Sequence, residues 1–169
     1  SNGAIRLGTN ASGQVYGSAA VGQAMERIVQ TTRGGHVLEA DLSAVAARSM
    51  QAESLLRNAL KPASDPLFGT APAAGAYNAN NDPKLRYADP NNTANTLVNS
   101  LAQQLQVVAR MIDASSNASI GAKRQVFFVS MGGFDTHDAQ NVNHAQLMAR
   151  LSHALRYFDD TLGAMGARD

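Results

Sequence analysis

Asp135 and His137 stand two residues apart in VFFVSMGGFDTHDAQ, residues 126–140. In extended backbone, residues i and i+2 project to one side. A carboxylate oxygen and an imidazole nitrogen can then reach the same ion or the same phosphate-bearing substrate. That donor set suits a divalent cation such as zinc or manganese. Gly132 and Gly133 precede the pair and permit close backbone approach. Asp138, Gln140 and His144 follow it and are candidates to orient the ligands from a second layer. A plainer reading stands beside this one. Asp and Thr are favoured helix caps, and the DTHD run stands just ahead of a helix. The spacing alone leaves both readings open.

The other histidines carry less. His36 precedes a helix, and His153 falls off the apolar stripe of its own helix, so both read as surface residues. No nucleophile elbow, phosphate-binding Walker loop or dinucleotide-binding glycine pattern is present. Ser130 reads as structural.

The pair needs elements to position it. The run 125–131 (QVFFVSM) is apolar on both faces, the pattern of a buried central strand covered by helices, with its carboxyl end at the two glycines. In sheets of that kind ligands bind just beyond the carboxyl ends of strands. Leu147, Leu151, Leu155, Phe158 and Leu162 predict a helix over 142–162. Leu97, Leu101, Leu105, Val108 and Ile112 predict one over 95–114, with Asn91-Asn92-Thr93 as its cap. Leu38, Leu42, Val45, Ser49, Ala52, Leu56 and Ala59 predict one over 38–60, stopped by Pro62. A shorter helix is expected over 19–31. Residues 62–93 hold all five prolines and read as a long irregular loop. The expected fold class is therefore a helix-dominated α/β chain with about four helices and one buried strand. One strand cannot satisfy its own backbone groups. The chain thus reads as a single domain or as a piece of a larger α/β domain whose remainder is its partner.

Composition narrows the classes. The 169 residues carry 14 Lys and Arg against 13 Asp and Glu, a net charge of +1. Such a balance favours no nucleic-acid partner. No apolar run of membrane-spanning length occurs. Cysteine is absent, so disulfides and thiolate metal sites are excluded.

The stretch GAKRQVFFVSMGGFDTHDAQNVNHAQLMARLSHALRYFDDTL, residues 121–162, resembles the middle of the proteins of the domain-of-unknown-function 1501 family. The G-G-F-D-T-H run, followed by a Gln and a His ahead of a Leu- and Ala-rich helix, is the specific part. The upstream helices are similar in kind, so the likeness covers most of the chain outside 62–90. The family is mostly bacterial, often exported with a twin-arginine signal, and grouped with alkaline phosphatases and sulfatases. The resemblance implies a larger α/β sandwich, a periplasmic or otherwise exported location, and a metal-dependent hydrolase acting on a small anionic phosphate or sulfate ester. It implies Asp135 and His137 as metal ligands. The nucleophile and the remaining ligands would come from segments outside these residues, leaving the chain inactive in isolation. Alkaline phosphatases space their mid-chain Asp and His more widely than the pair here. The alternative function is a non-catalytic helical binding or structural module whose GGFDTH turn only caps a helix.

Overall fold

The computed structural model describes residues 20, 23, 24, 27, 37–116, 120, 121 and 124–168. By contacts the chain divides into two compact units, Ser1–Asn58 and Ala59–Asp169. In the first, helix α1 runs Val37–Ala59. Arg57 pairs with Glu53 one turn earlier, and the Ser49 hydroxyl donates back to the Val45 carbonyl at 2.9 Å. Leu42 is 71% and Val45 51% exposed, and Leu55 is exposed too, whereas Met50 and Leu56 are half-buried. Pro62 lies just ahead, and the residue before a proline is disfavoured in helical backbone, so the helix ends short of it. The helix expected over 19–31 lies mostly outside the described residues; Ala20, Gln23, Ala24 and Arg27 are helical.

The second unit is built around two helices and a hairpin. Residues 62–82 are irregular, and a 3-10 turn at Pro83–Leu85 leads into strand β1, Arg86–Asp89. Strand β2, Asn92–Val98, returns antiparallel. Arg86 faces Val98, Tyr87 faces Leu97 and Ala88 faces Thr96, with a register shift before Asp89 meets Asn92. Helix α2 follows at Ser100–Ser115, and helix α3 occupies Gln140–Met165. Gly166, at φ 67°, ends α3 in the left-handed conformation. The Ala167 amide then donates to the Leu162 carbonyl at 2.9 Å and satisfies part of the helix end. Leu85, Leu101, Ala102, Leu105, Ala154 and Tyr157 form the core between the 3-10 turn, α2 and α3.

Two polar side chains tie these pieces together. Asn99 is fully buried. Its amide donates to the Leu85 carbonyl at 2.9 Å, and its Oδ1 caps α2 by accepting from the Ala102 amide at 3.1 Å. Its Nδ2 donates to the Arg150 carbonyl at 2.7 Å and meets His153 Nδ1 at 3.1 Å. Asp82, buried in the irregular segment, accepts from the Lys84 and Thr70 amides and from the Tyr77 hydroxyl, at 2.9, 2.8 and 2.7 Å. Gln106 of α2 donates to that same hydroxyl and to the Phe68 and Ala63 carbonyls. The Tyr157 hydroxyl of α3 donates to the Phe68 carbonyl at 2.6 Å. Gly69 passes so close that a Cβ there would sit 2.2 Å from the Ala63 carbonyl oxygen.

The expected fold class is corrected. The described residues hold three α-helices and a two-stranded antiparallel sheet in place of four helices and one buried strand. Residues 125–131 belong to no helix and join no sheet among the described residues. Their side chains alternate: Phe127, Val129 and Met131 are half-buried, whereas Val126 is 100% and Phe128 93% exposed. A chain segment with no strand beside it packs one face on helices and leaves the other face bare. The helix expected from 95 begins at Ser100, because Thr96, Leu97 and Val98 pair with β1. Leu97 falls four residues before Leu101 and mimics a helical step. Its neighbours Thr96 and Val98 are β-branched and fit a pleated strand.

Asn99→Ala removes the cap and both links to α3, and is expected to lower the stability of the second unit by about 3 kcal/mol, read from the urea midpoint. Burial holds the His153 imidazole below its ordinary value of 6.5. The folded protein therefore binds fewer protons than the unfolded chain just below pH 6.5, and the contribution of neutral His153 is lost as pH falls. The stability difference between the wild type and His153→Ala is expected to shrink between about pH 7 and about pH 5, measured by urea unfolding across that range.

Candidate functional site

The loop Gln125–Ala139 hangs between α2 and α3. Its start is held by Gln104 of α2. The Gln104 Nε2 donates to the Ser130 carbonyl at 2.9 Å, and the Ser130 amide donates to Gln104 Oε1 at 3.0 Å. A side-chain amide thus makes the two bonds that a neighbouring strand residue would make. Its end is held by the first turns of α3, which the hairpin tip braces. Asn91 Nδ2 donates to the Val142 carbonyl and Gln146 Nε2 to Asp89 Oδ1, each at 3.3 Å. Gly133, at φ 96°, turns the chain between these two anchors in a conformation that a side chain would strain. Gly132 faces open space.

Past this turn Asp135 and His137 come together. His137 Nε2 lies 2.8 Å from Asp135 Oδ2, and both side chains are 82% exposed. The separation is that of a hydrogen bond, shorter than the edge of a tetrahedral zinc shell, roughly 3.3 Å for bonds of about 2.0 Å. The hydrogen bond would have to open for the oxygen and nitrogen to take two corners of such a shell. The three residues proposed to orient the pair do not bond to it among the described residues. Asp138 offers only its carbonyl, which accepts from Asn143 Nδ2 at 3.0 Å. Gln140 begins α3, and His144 lies exposed in its second turn. Among the described residues no three His, Asp or Glu side chains gather as a metal shell.

The capping role is not taken up by these side chains. The residue at the start of α3 is Ala139, left-handed at φ 50°, and no side chain caps the helix there. The Val142 and Asn143 amides donate to the Ala139 carbonyl instead. The Asp135 carboxylate is bonded to His137, not to the helix.

His153, read as a surface residue, is half-buried against Asn99, with the Tyr87 ring 6.3 Å from its own. Sequence reasoning missed Asn99, Asp82 and Gln104. The signal for Asn99 was an Asn directly ahead of the Leu101–Leu105–Val108 stripe, the mark of a cap. The Gln104 role has no local signal, because its partner lies 26 residues on. No family model matches the chain, and no curated protein or solved structure matches it significantly.

Since neither acidic side chain caps α3, Asp135→Ala and Asp138→Ala are each expected to change stability by less than about 0.5 kcal/mol, where loss of a capping carboxylate removes about 1 kcal/mol. Ala139→Gly is expected to stabilise by about 1 kcal/mol, because glycine adopts the left-handed conformation without a clash at Cβ. Urea midpoints of the three variants decide both points.

Proposed function

We propose that the chain is a segment of an exported, metal-dependent hydrolase-like protein acting on small phosphate or sulfate esters. Asp135 and His137 supply two of the ligands of its divalent cation, zinc or manganese. The observation that carries this reading is the bonded, solvent-facing Asp135–His137 pair, held past a glycine turn and not spent on capping the helix behind it. The likeness of the GGFDTH run to the domain-of-unknown-function 1501 proteins supports the substrate class and the exported location.

When bound, the metal would polarise an ester oxygen and favour ionisation of an attacking hydroxyl. Asp135 contributes an anionic oxygen and His137 a neutral nitrogen, so His137 must be deprotonated to bind. Gly133 sets the direction from which both reach the ion. Their mutual hydrogen bond keeps the two donors together before the ion arrives. The described residues provide two ligands and no assigned nucleophile, so the chain by itself is inactive.

A second reading, a non-catalytic helical binding module, is favoured by the exposed apolar residues Leu42, Val45 and Leu55 of α1, a surface suited to a partner. It differs from the first in requiring no metal.

Titration of zinc into the chain by calorimetry is expected to show one weak site that disappears in His137→Ala and persists in His144→Ala. Zinc binding by the wild type that survives the double change Asp135→Ala/His137→Ala, or no zinc binding at all, would overturn the metal reading and leave the binding module.

A further inference from the structure

Asn99 fixes where the proton of His153 sits. Asn99 Oδ1 accepts from the Ala102 amide, so Nδ2 is the atom turned toward α3. There it meets two acceptors, the Arg150 carbonyl at 2.7 Å and His153 Nδ1 at 3.1 Å. Its two hydrogens serve one each. Nδ1 therefore accepts, and the neutral ring keeps its hydrogen on Nε2. A second proton, at Nδ1, would face the Asn99 N–H, and burial opposes the charged ring as well. His153 is thus a fixed neutral donor, with no lone pair to offer a metal.

That donor has no use inside the fold. Nε2 makes no hydrogen bond among the described residues, yet it is not one of the buried unpaired atoms, so it meets solvent. His153 lines an open cavity of about 360 Å³ between α3, the 3-10 turn and the irregular segment that holds Leu67. Two cations line the same cavity from different elements. Lys84 comes from the 3-10 turn, and its Nζ donates to the Pro66 carbonyl, which lays the side chain along the rim with donors to spare. Arg156 stands three residues after His153 on the same face of α3. Its Nε lies 3.4 Å from Asp160 Oδ2, but Asp160 is shared with Arg168, whose nearest nitrogen is 3.8 Å away. Most of the Arg156 guanidinium is left in solvent.

A neutral N–H, an ammonium and a guanidinium around one cavity are donors without a matching acceptor. Such a set recognises an oxyanion and repels a cation. Three separate donors suit the three free oxygens of a phosphate monoester better than the two of a carboxylate. Leu67 and Ala164 add an apolar wall for what the phosphate is attached to. We infer that this cavity binds a small organic phosphate, its oxygens held by His153 Nε2, Lys84 Nζ and the Arg156 guanidinium. At about 1.5 Å per residue, His153 stands roughly 20 Å along α3 from Gln140, so this site is separate from Asp135 and His137 and does not depend on their binding a metal.

NMR titration of the isotope-labelled chain near neutral pH, with inorganic phosphate and with phenylphosphonate, tests this. Saturable shifts are expected at Lys84, His153 and Arg156, with phenylphosphonate the tighter of the two. The His153 ring is expected to carry its hydrogen on Nε2 before and after binding. Lys84→Gln and Arg156→Gln should each weaken binding by about tenfold. Both side chains are exposed, so these variants should keep the circular dichroism spectrum of the wild type. No saturable shift with either probe would overturn the proposal. So would the same shifts produced by chloride at equal ionic strength, binding unchanged in both variants, or a neutral His153 ring protonated on Nδ1.

Discussion

Asn99 is the residue on which the second unit depends. A fully buried amide is tolerable only when its donors and acceptors are satisfied. Here one side chain and its own backbone reach four places: the end of the 3-10 turn, the first turn of α2, and two positions on α3. The geometry of each constrains the others. If α3 slid along α2, the Arg150 carbonyl and the His153 ring would leave Asn99 Nδ2 unpaired in the core. Hydrophobic packing of Leu101, Leu105, Ala154 and Tyr157 supplies attraction without direction; Asn99 supplies the alignment. Asp82 does the same for the irregular segment. It gathers two amides and a tyrosine hydroxyl, and Gln106 and Tyr157 carry that arrangement onto the two helices. A proline-rich loop becomes fixed structure because its backbone groups find side-chain partners rather than a sheet.

That alignment reaches the candidate site through α3. The helix is registered at its middle by Asn99 and braced at its first turns by the hairpin tip. The loop bearing Asp135 and His137 is therefore anchored at both ends, though its own residues touch little. The site is open for the same reason. The segment leading into it packs on helices by one face only, and nothing among the described residues stands over the other. Its chemistry accordingly rests on two donors facing water rather than on a buried, desolvated constellation.

The helices were legible because their apolar residues recur at steps of three and four, and breakers mark two of their ends: Gly166 after α3 and Pro62 beyond α1. The cap of α2 is Asn99, not the expected Asn91-Asn92-Thr93. The hairpin was not. Asn92-Thr93-Ala94-Asn95 carries little apolar signal, and Leu97 stands at a helical interval from Leu101, so the helix period extended backwards through a strand. At 125–131 the residue types suggested a buried strand, but whether a segment lies inside a sheet depends on its neighbours, and those are not written in its own sequence. The Asp135–His137 contact follows directly from the i, i+2 geometry that spacing provides. The absence of bonds from Asp138, Gln140 and His144 to the pair does not follow, because nearness along the chain does not fix direction once α3 has begun. His153 illustrates the converse: a side chain off the apolar stripe still became half-buried, since a polar partner, Asn99, waited on the next helix.

The bond pair between Gln104 and Ser130 has a consequence of a different kind. Side chains along an extended chain alternate with a period of two, so a shift by a single residue exchanges the inward and outward sets. Apolar matter lies on both faces of VFFV, and packing alone would discriminate poorly between Phe127 with Val129 inward and Val126 with Phe128 inward. Gln104 recognises one residue's donor and acceptor together, and thereby sets the parity of the whole run. Through that parity it also decides on which side of the chain the glycine turn begins, and so toward which half of space Asp135 and His137 are presented.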